Sequence, residues 1–112
     1  VLGAKQVVAV DNDLNAILSA KKNVLLNNVP NIELVSVDLE NLRGIFDVIL
    51  ANLDIRTFVV YAGTIKGHVK KGGTIIISGI LGRDKKKVLS LFHPFTPHKQ
   101  EEKNSWHGFI FQ

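Results

Sequence analysis

Three apolar runs in this chain each stop at a polar residue: Val7-Val8-Ala9-Val10 at Asp11, Leu34-Val35-Ser36-Val37 at Asp38, and Val48-Ile49-Leu50-Ala51 at Asn52. Unbroken runs of this kind suit strands of a parallel sheet, which are covered on both faces. In such open sheets ligands sit in the crevice beyond the carboxyl ends of the strands. The polar residues therefore stand where a ligand would be, and the pattern suggests an edge that binds a nucleoside.

Between and after these runs, strand-like and helix-like patterns alternate, which predicts repeated strand-helix-strand units and a mostly parallel sheet. After the first strand, Asp11 or Asp13 can cap a helix whose residues Leu14, Ile17, Leu18, Val24 and Leu25 recur at helical spacing. That helix is expected to lie on the sheet and to end near Asn27-Asn28, before Pro30. A second strand runs from about Ile32 to Val37, and Asp38-Leu39-Glu40-Asn41 opens a loop or short helical turn. The third strand covers Phe46 to Ala51. A second helix follows, with Phe58, Ala62, Ile65 and Val69 on one side, closing at Lys70-Lys71-Gly72-Gly73. That turn feeds the most apolar strand, Thr74 to Ser78. A short helix from about Arg83 to Phe92 leads into a tail that reads as two strands around a polar turn, Gln100 to Ser105, closing the sheet at one edge.

Length and composition allow one domain. Of the 112 residues 46% are hydrophobic and 21% charged, which is globular and not disordered usage. The apolar runs are far shorter than the roughly 20 residues a membrane-spanning helix needs, and no signal-peptide pattern opens the chain. A cytoplasmic protein without membrane attachment is expected. With no cysteine, disulfides, thiolate metal sites and cysteine nucleophiles are excluded. His68, His93, His98 and His107 show no metal-ligand spacing and read as surface or loop residues, so no metal site is expected. The net charge of +4 is modest. Its scattered lysines lack interleaved aromatics and read as solvated faces, with a weak RNA contact as the alternative.

Asp11 after one strand, Asp38 after the next, "FDVILANLD" from Phe46 to Asp54 and "KKGGTIIISGIL" from Lys70 to Leu81 resemble successive motifs of the S-adenosylmethionine-dependent methyltransferase fold. With "VDND", "ANL", "SGIL" and "SWHGFIF" in order, the chain is similar, from Val1 to Gln112, to the ribosomal protein L11 methyltransferase family. "VDxD" and "KxGG" are shared by most methyltransferases, whereas "ANL" in register with "SGIL" is more specific. The resemblance implies a Rossmann-like α/β sheet, mostly parallel with a closing antiparallel edge. It also implies S-adenosylmethionine as cofactor and amino groups of a ribosomal protein as substrate.

Roles follow residue by residue. A carboxylate at Asp11 can accept hydrogen bonds from both ribose hydroxyls. Asp38 resembles the family's adenine-side acid, with the backbone amide of Leu39 meeting a ring nitrogen. The plainer reading of both acids is a helix cap or turn. Asn52 is the chemical candidate: a carboxamide oxygen can accept the hydrogens of a neutral amine and aim its lone pair at a methyl carbon. It occupies the position where related amino-group methyltransferases carry asparagine, which also places it at the cofactor; the bland alternative is a helix cap. The "NPPY"-like version reads here as Asn52-Leu53-Asp54-Ile55, without the prolines and tyrosine, which argues against an enzyme that flips and stacks a base. Asp54 departs from the family pattern, and either attracts a lysine ammonium or caps the helix beginning near Ile55. Ser78 has no nucleophile-elbow context. Trp106 reads as edge packing more than as a substrate platform.

The family strand order is 3-2-1-4-5-7-6, and no glycine-rich turn precedes Val7. Gly3 looks like a residue that ends a helix. The expectation is therefore a partial catalytic domain, 1–112, without the first central strand and its glycine-rich loop, and inactive on its own. The gap would be filled by a segment outside these residues, by a partner chain, or by direct pairing of the strands that end at Asp11 and Asn52. The competing readings are a non-catalytic Rossmann-like binding or scaffold module and a fragment of an NAD-dependent oxidoreductase, whose cofactor also uses an acid after the second strand.

Overall fold

The structure is a computed structural model and describes residues 3–112. The chain divides into two compact units, Val1–Leu42 and Arg43–Gln112. Gly3 has φ 89°, the left-handed conformation of a helix-ending glycine. The helix it would close falls on Val1 and Leu2, outside the described residues.

In the first unit, β1 (Val7–Asp11) pairs in parallel with β2 (Ile32–Ser36), in a register that sets Asp11 opposite Ser36. Helix α1 (Leu14–Leu26) connects them. Asp13, in extended conformation, caps it, its Oδ1 accepting the Asn15 N–H at 2.8 Å. At the other end the Asn27 backbone N–H donates to the Asn23 carbonyl at 3.0 Å, and Asn28 at φ 50° turns the chain away. Of the five apolar residues expected on the sheet, Ile17 and Val24 are half-buried, whereas Leu14, Leu18 and Leu25 are exposed. These three lie at i, i+4 and i+11, a second stripe roughly a quarter turn round the helix from Ile17 and Val24 at about 100° per residue. A 3₁₀ turn, Leu39–Asn41, follows β2, as the polar stretch suggested.

The second unit contains β3 (Phe46–Asn52), α2 (Ile55–His68), β4 (Val69–Leu81), a 3₁₀ turn (Gly82–Asp84), α3 (Lys85–Leu91), β5 (Pro97–Lys103) and β6 (Trp106–Phe111). Its sheet order is β3-β4-β6-β5, with β3 and β4 parallel and the remaining pairs antiparallel. The β1-β2 pair forms a separate two-stranded sheet.

The core of this unit joins Phe58, Ala62 and Ile65 of α2 to Ile75, Ile77 and Ile80 of β4, Val88 of α3, Phe92, and Phe109 and Phe111 of β6. Phe92 is its hub, edge-on to Phe58 at 5.7 Å between centroids and stacked on Phe111 at 5.1 Å. Alternation along β4 puts Ile75 and Ile77 inward, and a register shift between Ile77 and Ile80 then turns Ile80 inward as well.

Two boundaries differ from the sequence reading. The helix stops at His68, and Val69 begins β4 by pairing with Phe46, while the ladder resumes only at Val48 and Thr74. Lys70 to Gly73 thus bulge out of the strand, helped by Gly72 at φ 78°. The closing turn shrinks to Asn104-Ser105, both with positive φ, as the twist of a two-residue hairpin favours. Gln100 to Lys103 belong to β5, an edge strand whose seven residues are all exposed and mostly polar or charged. No helix among the described residues is long and apolar enough to cross a membrane.

Candidate functional site

The acids of the first unit lie at the carboxyl ends of two neighbouring parallel strands. Asp11 is exposed, and its Oδ1 accepts the Asp13 N–H at 2.9 Å, forming a tight turn that presents the carboxylate beyond β1. Because Asp13 caps α1, Asp11 does not have to. Asp38 stands two residues beyond β2, exposed, and its side chain makes no capping hydrogen bond to the 3₁₀ turn that follows. The turn is closed instead by the Asn41 N–H on the Asp38 carbonyl at 2.9 Å. Leu39 opens that turn, where the first N–H groups have no partner within the turn itself. The structure thus brings Asp11, Asp38 and Leu39 to one sheet edge, with the Asp38 carboxylate free of the capping duty that was its plainer explanation.

Asn52 belongs to the second unit, as the last residue of β3, paired with Ser78 of β4. It is exposed, and it is not the cap of α2. Asp54 is: its Oδ1 accepts the Thr57 N–H at 2.8 Å and the Thr57 hydroxyl at 3.1 Å. Thr57 thereby holds the Asp54 carboxyl below the usual aspartate range, first through the backbone N–H and then through the hydroxyl, with Arg56 at 4.0 Å adding a smaller attraction. Of the residues weighed as the cap of α2, Asp54 takes that place and Asn52 does not. The Asn52 carboxamide lies against Gly79, and it helps to line an open groove of about 570 Å³ with Leu53, Asp54, Gly79, Arg83 and Trp106.

Gly79 was not singled out from the sequence. Its signal is an isolated glycine inside an apolar strand pattern, which marks a bulge or a close backbone approach. Trp106 departs from the edge-packing reading: it pairs with Leu81 but is 53% exposed at the groove. His107 departs from the reading as a surface or loop residue, because alternation along β6 turns it inward to 9% exposure. His93 and His98 are exposed, and His68 at the end of α2 is 2.7 Å from the Gly44 carbonyl through Nδ1. Lys70 pairs with Asp47 and holds its carboxyl below the usual range, so this lysine serves a strand contact. Among the described residues no group of three or more His, Asp or Glu side chains is placed to hold a metal ion.

Known proteins are similar to this chain in sequence and fold. The family described as ribosomal protein L11 methyltransferase (PrmA) matches residues 1–112. The ribosomal protein L11 methyltransferase of Geobacter sulfurreducens is 44% identical over 80 residues, covering 71% of this chain and 26% of the relative. That of Thermosipho africanus is 35% identical over 112 residues, covering 99% of this chain and 41% of the relative. The chain thus spans well under half the length of these relatives. The crystal structure of the ribosomal protein L11 methylase of Lactobacillus delbrueckii subsp. bulgaricus superposes with a TM-score of 0.94 at 26% identity, over 99% of this chain and 59% of that one. The N-methyltransferase NodS of Bradyrhizobium japonicum in complex with S-adenosyl-L-homocysteine shares the fold, with a TM-score of 0.76 at 13% identity over 96% of this chain and 66% of that one. The fold is therefore the Rossmann-like methyltransferase fold. On the match across its whole length, the chain belongs to the ribosomal protein L11 methyltransferase family.

Proposed function

We propose that this chain is part of the catalytic domain of an S-adenosylmethionine-dependent methyltransferase that acts on amino groups of a ribosomal protein, in the cytoplasm. The names of its relatives support the substrate class and favour this reading over the oxidoreductase and the scaffold. The donor set fits the nucleoside half of the cofactor, since two exposed carboxylates at adjacent strand ends accept hydrogen bonds, and one of them makes no cap bond of its own. Asp11 would accept from the ribose hydroxyls and Asp38 from the adenine amine, while the Leu39 N–H would donate to a ring nitrogen. The cofactor supplies a methyl group on a positively charged sulfur.

The observation that carries the reading is the exposed Asn52 carboxamide at the end of β3, with helix capping handed to Asp54. Its oxygen can accept a hydrogen from a neutral substrate amine and hold the nitrogen lone pair in one direction. No strong base is needed for that role. Correct aim matters, because a misplacement of about 1 Å can cost roughly a hundredfold in rate. In the intact protein Asn52→Ala should lower kcat for transfer of labelled methyl to ribosomal protein about a hundredfold, with a smaller change in cofactor affinity. Unchanged turnover, or a loss wholly explained by unfolding, would remove Asn52 from the chemistry.

A further inference from the structure

We propose that Gly79 is the positioning residue for the Asn52 carboxamide, acting through the bulge it creates at the end of β4. This rests on the reading of Asn52 as the group that orients the amine. Between the pairs Ile77–Phe109 and Ile80–His107, β4 advances three residues while β6 advances two, so Ser78-Gly79 holds one extra residue. The parallel ladder to β3 ends at the same level, on the pair Asn52–Ser78. Bulge and carboxamide therefore sit side by side at the carboxyl edge of the sheet.

The local geometry is specific to glycine on two counts. Gly79 has φ 83°, a region that side chains rarely allow. A Cβ built there would overlap Asn52 Oδ1 and lie 3.3 Å from the Leu53 carbonyl oxygen. The carbonyl belongs to the short link between β3 and the Asp54 cap, so it moves only if that link moves. The carboxamide turns about its own torsions. An added atom at position 79 is consequently relieved by swinging the Asn52 side chain away, which leaves the strand pairing intact but loses the aim of the oxygen. Packing alone does not require such a seat, since α2 has its cap in Asp54.

The test is a double-mutant cycle in the intact protein, with labelled S-adenosylmethionine and ribosomal protein. Gly79→Ala should lower kcat about a hundredfold, as expected for a misaimed group, while cofactor affinity by calorimetry stays within about twofold. The double variant with Asn52→Ala should be no slower than Asn52→Ala alone, because the two changes remove one device. Gly79→Asn tolerates the left-handed backbone but carries a Cβ, so it should show the same loss. The side-chain amide resonances of Asn52, assigned by their disappearance in Asn52→Ala, should shift in both position-79 variants.

Independent losses that multiply in the double variant, or unmoved Asn52 resonances in a folded position-79 variant, would overturn the proposal. If Gly79→Ala fails to fold, Gly79→Asn, which tolerates the left-handed backbone, carries the same test, and an unchanged kcat there counts equally against the seat. Unchanged kcat in Asn52→Ala would instead overturn the role of Asn52 in chemistry, and the resonance shift would still decide whether Gly79 seats it.

Discussion

The two units end their parallel strands in the same way, with a polar residue at the carboxyl edge, yet they are stabilised very differently. Among the described residues every buried hydrophobic side chain lies in the second unit. In the second unit, residues from α2, α3, β4 and β6 interdigitate around Phe92. In the first, one helix rests on two strands, and Leu25 remains 69% exposed. About 40 residues seldom bury enough surface for an independent core. An apolar pattern therefore assigns an element, but burial needs a second layer to meet it. The first unit carries acids at a strand edge, whereas the second carries Asn52 on a strand beside a buried core.

The most severe test of this contrast is Phe92→Ala against Leu18→Ala in the intact protein, followed by urea denaturation. Phe92 is fully buried among Phe58 and Phe111, so its truncation should cost about 3–5 kcal/mol. Leu18 is exposed on α1, and its truncation should stay within about 0.5 kcal/mol. Equal losses would break the comparison.

A smaller effect sharpens the role of the first unit. If Asp11 binds the ribose as proposed, Asp11→Ala would remove hydrogen bonds to a charged acceptor, each worth about 1.5–3 kcal/mol, and should weaken S-adenosylmethionine binding tenfold or more in calorimetry. The thermal midpoint should fall only slightly, through the lost turn bond from the Asp13 N–H, because Asp13 and not Asp11 caps α1. An unchanged affinity would take Asp11 out of the cofactor site.

The smallest expected effect concerns the cap of α2. Asp54→Ala should lower the thermal midpoint less than Phe92→Ala does, and Asp54→Asn should recover part of the loss by keeping an acceptor for the Thr57 N–H. The Asp54 pKa is depressed on folding, so its contribution is fully present above the unfolded aspartate value and is lost as pH falls through the lower folded value. The gap between wild type and Asp54→Ala should accordingly be constant near neutrality and close in acid, below the usual aspartate range. A gap that persists there would show that the carboxylate charge does not contribute.

Much of the fold was legible because period and punctuation agree locally. The polar residues after Val10, Val37 and Ala51 mark the strand edge, and Asp13 and Asp54 stand just before their helices with a side chain short enough to cap them. The Lys70-to-Gly73 stretch misled as a simple turn because a bulge and a turn use the same glycines, and only pairing with Phe46 shows that Val69 is already strand. Trp106 and His107 could not be placed by residue type. They are neighbours on β6, and strand alternation exposes one and buries the other.

By itself the sequence determined the order and type of the elements, the family, and the polar residues at the strand ends, since each depends on local spacing or on motifs within one stretch of chain. The tertiary structure decided which apolar stripe is buried and that Gly79 lies against Asn52. Those outcomes depend on pairs of residues far apart along the chain, such as Asn52 with Gly79 or Phe92 with Phe111. No local pattern specifies such a pair, because strand register and layer packing select it only when the whole sheet closes.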